Sequence, residues 1–236
     1  MDRSRGESGA DSKTEKFEAV RSDFSKNLDY GWKGNGPVCS HGYLIPVIDN
    51  VIVRYRNKHA TAKKLRVFDA GCGNGFLVGH LLASGFETAG CDVSVSGVAR
   101  AKETYPNACF DVMSVCDDMA AAFGGGWDIV ISTEVIEHLY NPKIFVQRVR
   151  DLLRPGGMFI VTTPYHGYLK NIALAMTGTL DRHFTSLWVG GHIKFWSYRT
   201  LRILLLAHDF LAPQFYGAGR CSFLWKSMVV TARKPG

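Results

Sequence analysis

The run Leu65-Arg66-Val67-Phe68-Asp69-Ala70-Gly71-Cys72-Gly73-Asn74-Gly75 decides the fold. A short β-prone segment ends in three glycines at alternate positions, and Phe76 to Ser84 reads as a helix closed by Gly85. Downstream, the same alternation repeats. Strands are expected over 88–93, 108–115, 127–132 and 158–163. Helices are expected over 96–104, ending at Tyr105-Pro106, and from Asn141-Pro142 to Leu153, with Asn141 as the cap and Pro142 first in the helix. The segment Trp127-Asp128-Ile129-Val130-Ile131-Ser132 is almost wholly apolar, as suits a central strand covered on both faces. Alternating strands and helices imply an α/β, doubly wound, mostly parallel sheet of Rossmann type. Two late β segments, 212–216 and 224–232, bring the count to seven strands and are close enough to pair as an antiparallel C-terminal hairpin.

The ligand follows from the spacing. Glycines at a strand-to-helix turn let a nucleotide-like ligand approach the backbone at the carboxyl ends of the strands. Here the spacing is Gly71-x-Gly73-x-Gly75, shorter than the Gly-x-Gly-x-x-Gly of dinucleotide sites. Asp69 stands just ahead of it, where its charge would oppose a pyrophosphate but suit the ammonium group of a methionine moiety. Asp92, at the end of the next strand, is placed to accept hydrogen bonds from ribose hydroxyls.

Together, Asp69 to Gly75, Cys91-Asp92-Val93 and Glu134-Val135-Ile136-Glu137-His138-Leu139 resemble the class I S-adenosylmethionine (SAM)-dependent methyltransferases. Within that family the chain is similar to the ubiquinone-biosynthesis O-methyltransferases. Leu153-Arg154-Pro155-Gly156-Gly157 and Gly191-His192-Ile193-Lys194-Phe195-Trp196-Ser197 fit the same pattern, and the resemblance spans about 65 to 232. It implies SAM as cofactor and S-adenosylhomocysteine as product, with Asp69, Gly71, Cys72, Gly73, Gly75, Asp92, Val93, Ser114, Val115 and Glu134 as cofactor-binding residues. The family often places an acid after strand three to meet the adenine amino group. Ser114 stands there instead, with Asp117 and Asp118 close enough to swing in.

Methyl transfer from an activated sulfonium mainly needs alignment, which supplies roughly 7–11 kcal/mol. A positioned base adds about 10²–10⁴-fold. His138 is the first candidate base, His166 the second, and Glu134 completes the catalytic set. Glu134, Glu137 and His138 could also hold a divalent metal that acidifies a hydroxyl, although no metal is assigned. Tyr165, His166, Trp188 and His192 are candidate substrate contacts, while His183 and His192 flank Trp188 and also read as packing residues.

Domain organisation is read as a disordered tail over 1–16, a helical segment over 17–60 that covers the active site, and a SAM-binding domain over 61–236 with a lid insertion at 164–196. A helix is expected over 43–56. The apolar stretch Leu169 to Met176 reads as a buried lid helix or as a peripheral membrane contact reaching through 168–190. Hydrophobic residues are 46% and charged residues 21% of 236, a soluble globular composition, and no apolar run approaches the ~20 residues of a membrane span. The first residues lack the apolar core of a secretory signal. Six cysteines without a Cys-x-x-Cys pair argue against a zinc ribbon or redox motif and fit a reducing, cytoplasmic setting.

The formal charge of +7 is spread along the chain and reads as solvated surface, so nucleic acid is not an expected partner. The leading expectation is methylation of a hydroxyl on a phenolic, sugar or lipid-like small molecule by a monomer or homodimer. RNA or protein methylation, and SAM binding without catalysis, are the alternatives.

Overall fold

A computed structural model describes residues 32, 34–59, 63–180, 184 and 190–236. The tail expected over 1–16, the start of the 17–60 segment, His183 and Trp188 lie outside the described residues.

Seven strands form one sheet: β1 (Arg66–Ala70), β2 (Glu87–Asp92), β3 (Cys109–Val112), β4 (Trp127–Thr133), β5 (Leu153–Pro164), β6 (Leu211–Ala218) and β7 (Ser227–Arg233). Their spatial order is β3-β2-β1-β4-β5-β7-β6. The first five run parallel. β7 lies antiparallel to both β5 and β6. The chain reverses direction across the sheet between β1 and β4, so the carboxyl ends of these two strands flank the crevice where such sheets bind ligands.

Helices cover both faces: α1 (His41–Lys58), α2 (Phe76–Ala83), α3 (Val95–Thr104), α4 (Met119–Phe123), α5 (Pro142–Leu152), α6 (Tyr168–Met176) and α7 (Tyr198–Leu206). On one face Phe68, Val130 and Phe159 pack with Phe145 and Val149 of α5 and Leu201 and Leu205 of α7. On the other, Val67, Ile129, Ile131, Ile160 and Val229 meet Leu44, Ile48 and Ile52 of α1 and Leu77 and Leu81 of α2. Alternate residues of β4 thus enter opposite cores, which explains the unbroken apolar run read from the sequence.

Asn141 caps its helix as expected, and the helix expected from 96 starts a residue earlier, capped by Ser94. Ser94 accepts from Gly97 N at 3.1 Å, and Asn141 accepts from Ile144 N at 3.3 Å. Ser197 starts α7 with a reciprocal box to Thr200. Two readings need revision. The five-residue α4 was not anticipated; it begins where Asp118 accepts from Ala121 N at 3.1 Å. Of the two readings of α6, the buried lid is the one that fails, because its apolar face is turned outward. Tyr168 is 80%, Leu169 55% and Met176 83% exposed, and Lys170 is the helix's buried residue.

Candidate active site

The cofactor loop begins where β1 ends. Gly71 N and Cys72 N donate to Cys91 O at 2.8 and 2.9 Å, tying the turn to the end of β2. Gly71, Gly73 and Gly75 have φ of +94°, +51° and +76°, in the left-handed region that favours glycine. Space is as restrictive as angle: a Cβ on Gly71 would lie 2.4 Å from Val135 Cγ2, and one on Gly75 2.7 Å from Ala101 Cβ.

Asp69 is 2% exposed, and its Oδ1 has no hydrogen-bond partner. Burial, with the nearby negative charge of Asp92, pushes its carboxyl up to about 8. Asp92 accepts from Gly73 N at 2.9 Å through Oδ2 and from Ser94 N at 2.8 Å through Oδ1, so it anchors the loop as well as ending β2. Val93 follows it half-buried, and Val115 is buried beneath the site. After β3, Ser114 accepts from Cys116 N at 3.1 Å, and its own N–H donates to Asp117 at 3.0 Å. Asp117 and the cap Asp118 are thus engaged locally.

A strap crosses this loop through contacts that the sequence reading did not specify. Asn74, 1% exposed, donates to Gly34 O at 3.0 Å and Gly36 O at 2.9 Å. Arg100 of α3 donates to Trp32 O at 2.6 Å. The Trp32 ring rests on Gly73 and Gly97, so closely that a Cβ at Gly73 would fall 2.4 Å from it. This contact gives part of the segment expected to cover the site a definite place.

The second half of the site lies at the carboxyl ends of β4 and β5. Glu134 holds φ +55°, strained for a non-glycine residue. Its backbone N–H donates to Thr162 Oγ1 at 3.0 Å, while its carboxylate accepts from Thr162 Oγ1 at 2.8 Å and Ser227 Oγ at 3.1 Å. Ser227 is also 3.2 Å from the Tyr43 hydroxyl. Burial raises the Glu134 carboxyl to about 7, against the opposing pull of those hydroxyls and of Lys170.

Glu137 is 1% exposed, and neither carboxylate oxygen makes a hydrogen bond. Burial and the Glu134 charge drive its carboxyl upward. His138 donates from Nδ1 to Gly190 O at 2.7 Å. Burial holds its imidazole below the usual value, which favours the neutral form with its basic lone pair on Nε2. His192 Nε2 lies 4.0 Å from Glu137 Oε1. Among the described residues, one ligand atom each from Glu137, His138 and His192 falls within 4.8 Å of the others. The potential metal group is therefore Glu137-His138-His192, with Glu134 turned toward Thr162 and Ser227.

His166 is buried, stacked 6.2 Å from Phe184 and edge-on to Phe195 at 5.1 Å. Tyr165 meets Trp225 edge-on at 5.2 Å and tilts against Phe215 at 5.9 Å. Both follow β5 as expected, each within an aromatic cage. Thr162, Ser227, Tyr43 and Lys170 were not foreseen. A lysine inside an otherwise apolar run was the available signal for the last.

These residues fit SAM. The orphaned, buried Asp69 oxygen suits a cationic partner, the glycine cradle admits no side chain, and a second carboxylate, Asp92, ends β2 beside it.

The methyltransferase-domain family model matches residues 43–211. The chain is 30% identical over 140 residues to the ubiquinone biosynthesis O-methyltransferase of Chelativorans sp. (strain BNC1), covering 57% of this chain and 55% of that protein. It thus spans about half the length of the curated relatives it matches. In structure it is similar to the CurJ carbon methyltransferase, with TM-score 0.60 at 16% identity over 80% of this chain and 54% of that one. It is also similar to a SAM-dependent methyltransferase from Archaeoglobus fulgidus, with TM-score 0.57 at 15% identity over 79% and 94%. At such identities these two likenesses speak for the fold alone. A family match over more than half of the chain, on this sheet order and with this glycine cradle, means that the protein belongs to the class I SAM-dependent methyltransferases.

Proposed function

We propose that this protein transfers the methyl group of SAM to a hydroxyl oxygen of a small molecule, phenolic, sugar or lipid-like in character. The observation that carries the reading is Glu134: a carboxylate oriented by two hydroxyls, with its proton affinity raised to about 7, at the strand end next to the cofactor loop. A base working near neutral pH has this affinity. Identity of about 30% to O-methyltransferases supports oxygen as the acceptor atom.

Bound SAM supplies a methyl carbon already activated by its sulfonium. Asp69, Asp92 and the 71–75 turn hold the donor end. Glu134 takes the acceptor proton, and Thr162 and Ser227 keep its carboxylate aimed. His138, neutral and fixed through Gly190, is the alternative base, with His166 behind it. Exposed Tyr168, Leu169, Ile172 and Met176 support peripheral contact with a membrane or an apolar acceptor. No helix among the described residues is long and apolar enough to cross a membrane.

The test is turnover of labelled SAM against a panel of catechols, sugars and polyprenyl phenols, with Glu134→Gln beside wild type. The variant should lose about 10²–10⁴-fold in kcat, with the acidic limb near pH 7 abolished. Methylation of an amine or a carbon in preference to every hydroxyl would overturn the reading.

A second reading rests on the Glu137-His138-His192 group, whose unbonded carboxylate and two imidazoles suit a divalent cation that acidifies the hydroxyl. It requires that EDTA abolish turnover, that magnesium or zinc restore it, and that His192→Ala weaken the restoration.

A further inference from the structure

We infer that the acceptor carries a negatively charged group and that Lys170, with Arg220, receives it. The inference rests on the small-molecule reading above and narrows its substrate class to carboxylates or phosphates.

Lys170 is 8% exposed, the most buried residue of a helix that leaves Tyr168, Leu169 and Met176 in solvent. Lysine is seldom buried without a carboxylate partner, because desolvating an ammonium is unfavourable unless an opposite charge compensates. Here Nζ donates to Tyr165 O at 2.8 Å and more weakly to Lys226 O at 3.4 Å. Among the described residues, none of Lys170, Arg220 and Lys226 has a carboxylate oxygen within 4.0 Å. Instead the Arg220 charge acts on Lys170 and reinforces burial in holding its amine down, to about 8, so the group still carries its charge at neutral pH. A third cation, Lys226, places its Nζ 5.1 Å from the Tyr43 ring centroid. Glu134 is the acid within reach of Lys170, and it is engaged by Thr162 and Ser227.

The place of this cluster matters as much as its charge. Tyr165 follows the end of β5, and Lys226 precedes the start of β7. Those two ends are paired, Pro164 opposite Ser227. The ammonium is therefore pinned at the edge of the sheet that carries Glu134, on the side of β4 away from the cofactor loop. Arg220 sits on the connection between β6 and β7, exposed and able to close over a bound anion. Like charges gathered at an acceptor edge, one of them buried, are balanced by an anion that arrives with the substrate.

Two measurements test this. The first compares turnover of 3,4-dihydroxybenzoate with its neutral match, 3,4-dihydroxybenzamide, in wild type, Lys170→Met, Lys170→Arg and Arg220→Ala. Wild type should favour the acid by about 10–100-fold in kcat/KM, the range of a charge-assisted hydrogen bond. Lys170→Met should erase that preference through KM, Lys170→Arg should keep most of it, and the exposed Arg220→Ala should lose part. The second needs no turnover. Calorimetry of inorganic phosphate and of benzoate with the S-adenosylhomocysteine-loaded protein should show binding that weakens at least about tenfold in Lys170→Met, and the relative affinities tell phosphate from carboxylate. If neither catechol is methylated but the anions bind and the variants lose them, hydroxyl methylation falls and the anion site stands. Equal use of acid and amide, or anion binding indifferent to both substitutions, overturns the inference.

Discussion

Replacing Asp69 by Asn should make the cofactor-free protein more stable at neutral pH while weakening its hold on SAM. The magnitude follows from burial. In the unfolded chain this carboxyl titrates near its usual 3.8; in the folded protein it is pushed up to about 8. A raised acid favours folding only while it is protonated in both states, so its contribution is full below about pH 4. It is lost progressively as pH rises toward 8. The roughly three pH units between 3.8 and 7, at about 1.4 kcal/mol each, set a loss of at most about 4 kcal/mol at pH 7. Asn is similar in shape and stays neutral, so the variant escapes that loss. For a chain of this length, each kcal/mol moves Tm by about 2–4 °C. The assay is urea unfolding of both proteins from pH 5 to pH 8, with and without S-adenosylhomocysteine. Because Glu134 and Glu137 titrate in both proteins, the difference between variant and wild type isolates Asp69, and it should widen with pH. Added cofactor should reverse the order, since only the wild type offers a carboxylate to the ligand ammonium. Parallel pH profiles for the two proteins would refute the reasoning.

Asp92→Ala removes the acceptor of Gly73 N and Ser94 N together with the proposed ribose contact; calorimetry should show S-adenosylhomocysteine binding weakened by about 2–3 kcal/mol, and unchanged affinity would remove Asp92 from the site. Gly71→Ala puts a methyl 2.4 Å from Val135 Cγ2 at φ +94°, so melting should fall by several degrees and cofactor titration should fail to saturate; a fully functional variant would show that the turn is adaptable. Comparing His138→Ala with His166→Ala at saturating SAM separates the two histidines. His138→Ala is expected to slow kcat more, because its ring is fixed through Gly190, and equal small effects would leave Glu134 as the base.

The cofactor half of the site was legible in the sequence because local backbone chemistry writes it. Glycines that must adopt positive φ, and acids that end strands, need no knowledge of distant residues, so the turn at Gly71, Gly73 and Gly75 and the strand-end places of Asp69 and Asp92 could be read from spacing. The acceptor half depends on contacts made far along the chain. Glu134 reaches Ser227 across 93 residues, and Asn74 reaches back 40 to Gly34; no spacing rule signals either. The apolar composition of α6 left a buried lid and a surface contact both open. Its aliphatic residues suggested a buried face, yet tertiary packing buries Lys170 through two carbonyls and leaves Tyr168 and Met176 in solvent. The metal group shifted for a related reason: the left-handed turn at Glu134 directs that carboxylate to Thr162 and Ser227, while the 190–196 segment carries His192 toward Glu137.

The antiparallel course of β7 has a consequence for how the protein can change. A strand parallel to β5 would have presented its far end to the chemistry; reversed, β7 brings its first residue there, along with the connection from β6. Under the proposed function, the glycine cradle and its two acids lie between residues 69 and 92, and much of the acceptor side between 165 and 227. Substitutions in the later stretch can retune what is methylated while the earlier stretch goes on supplying the methyl group, so the two specificities are free to diverge at separate rates along one chain.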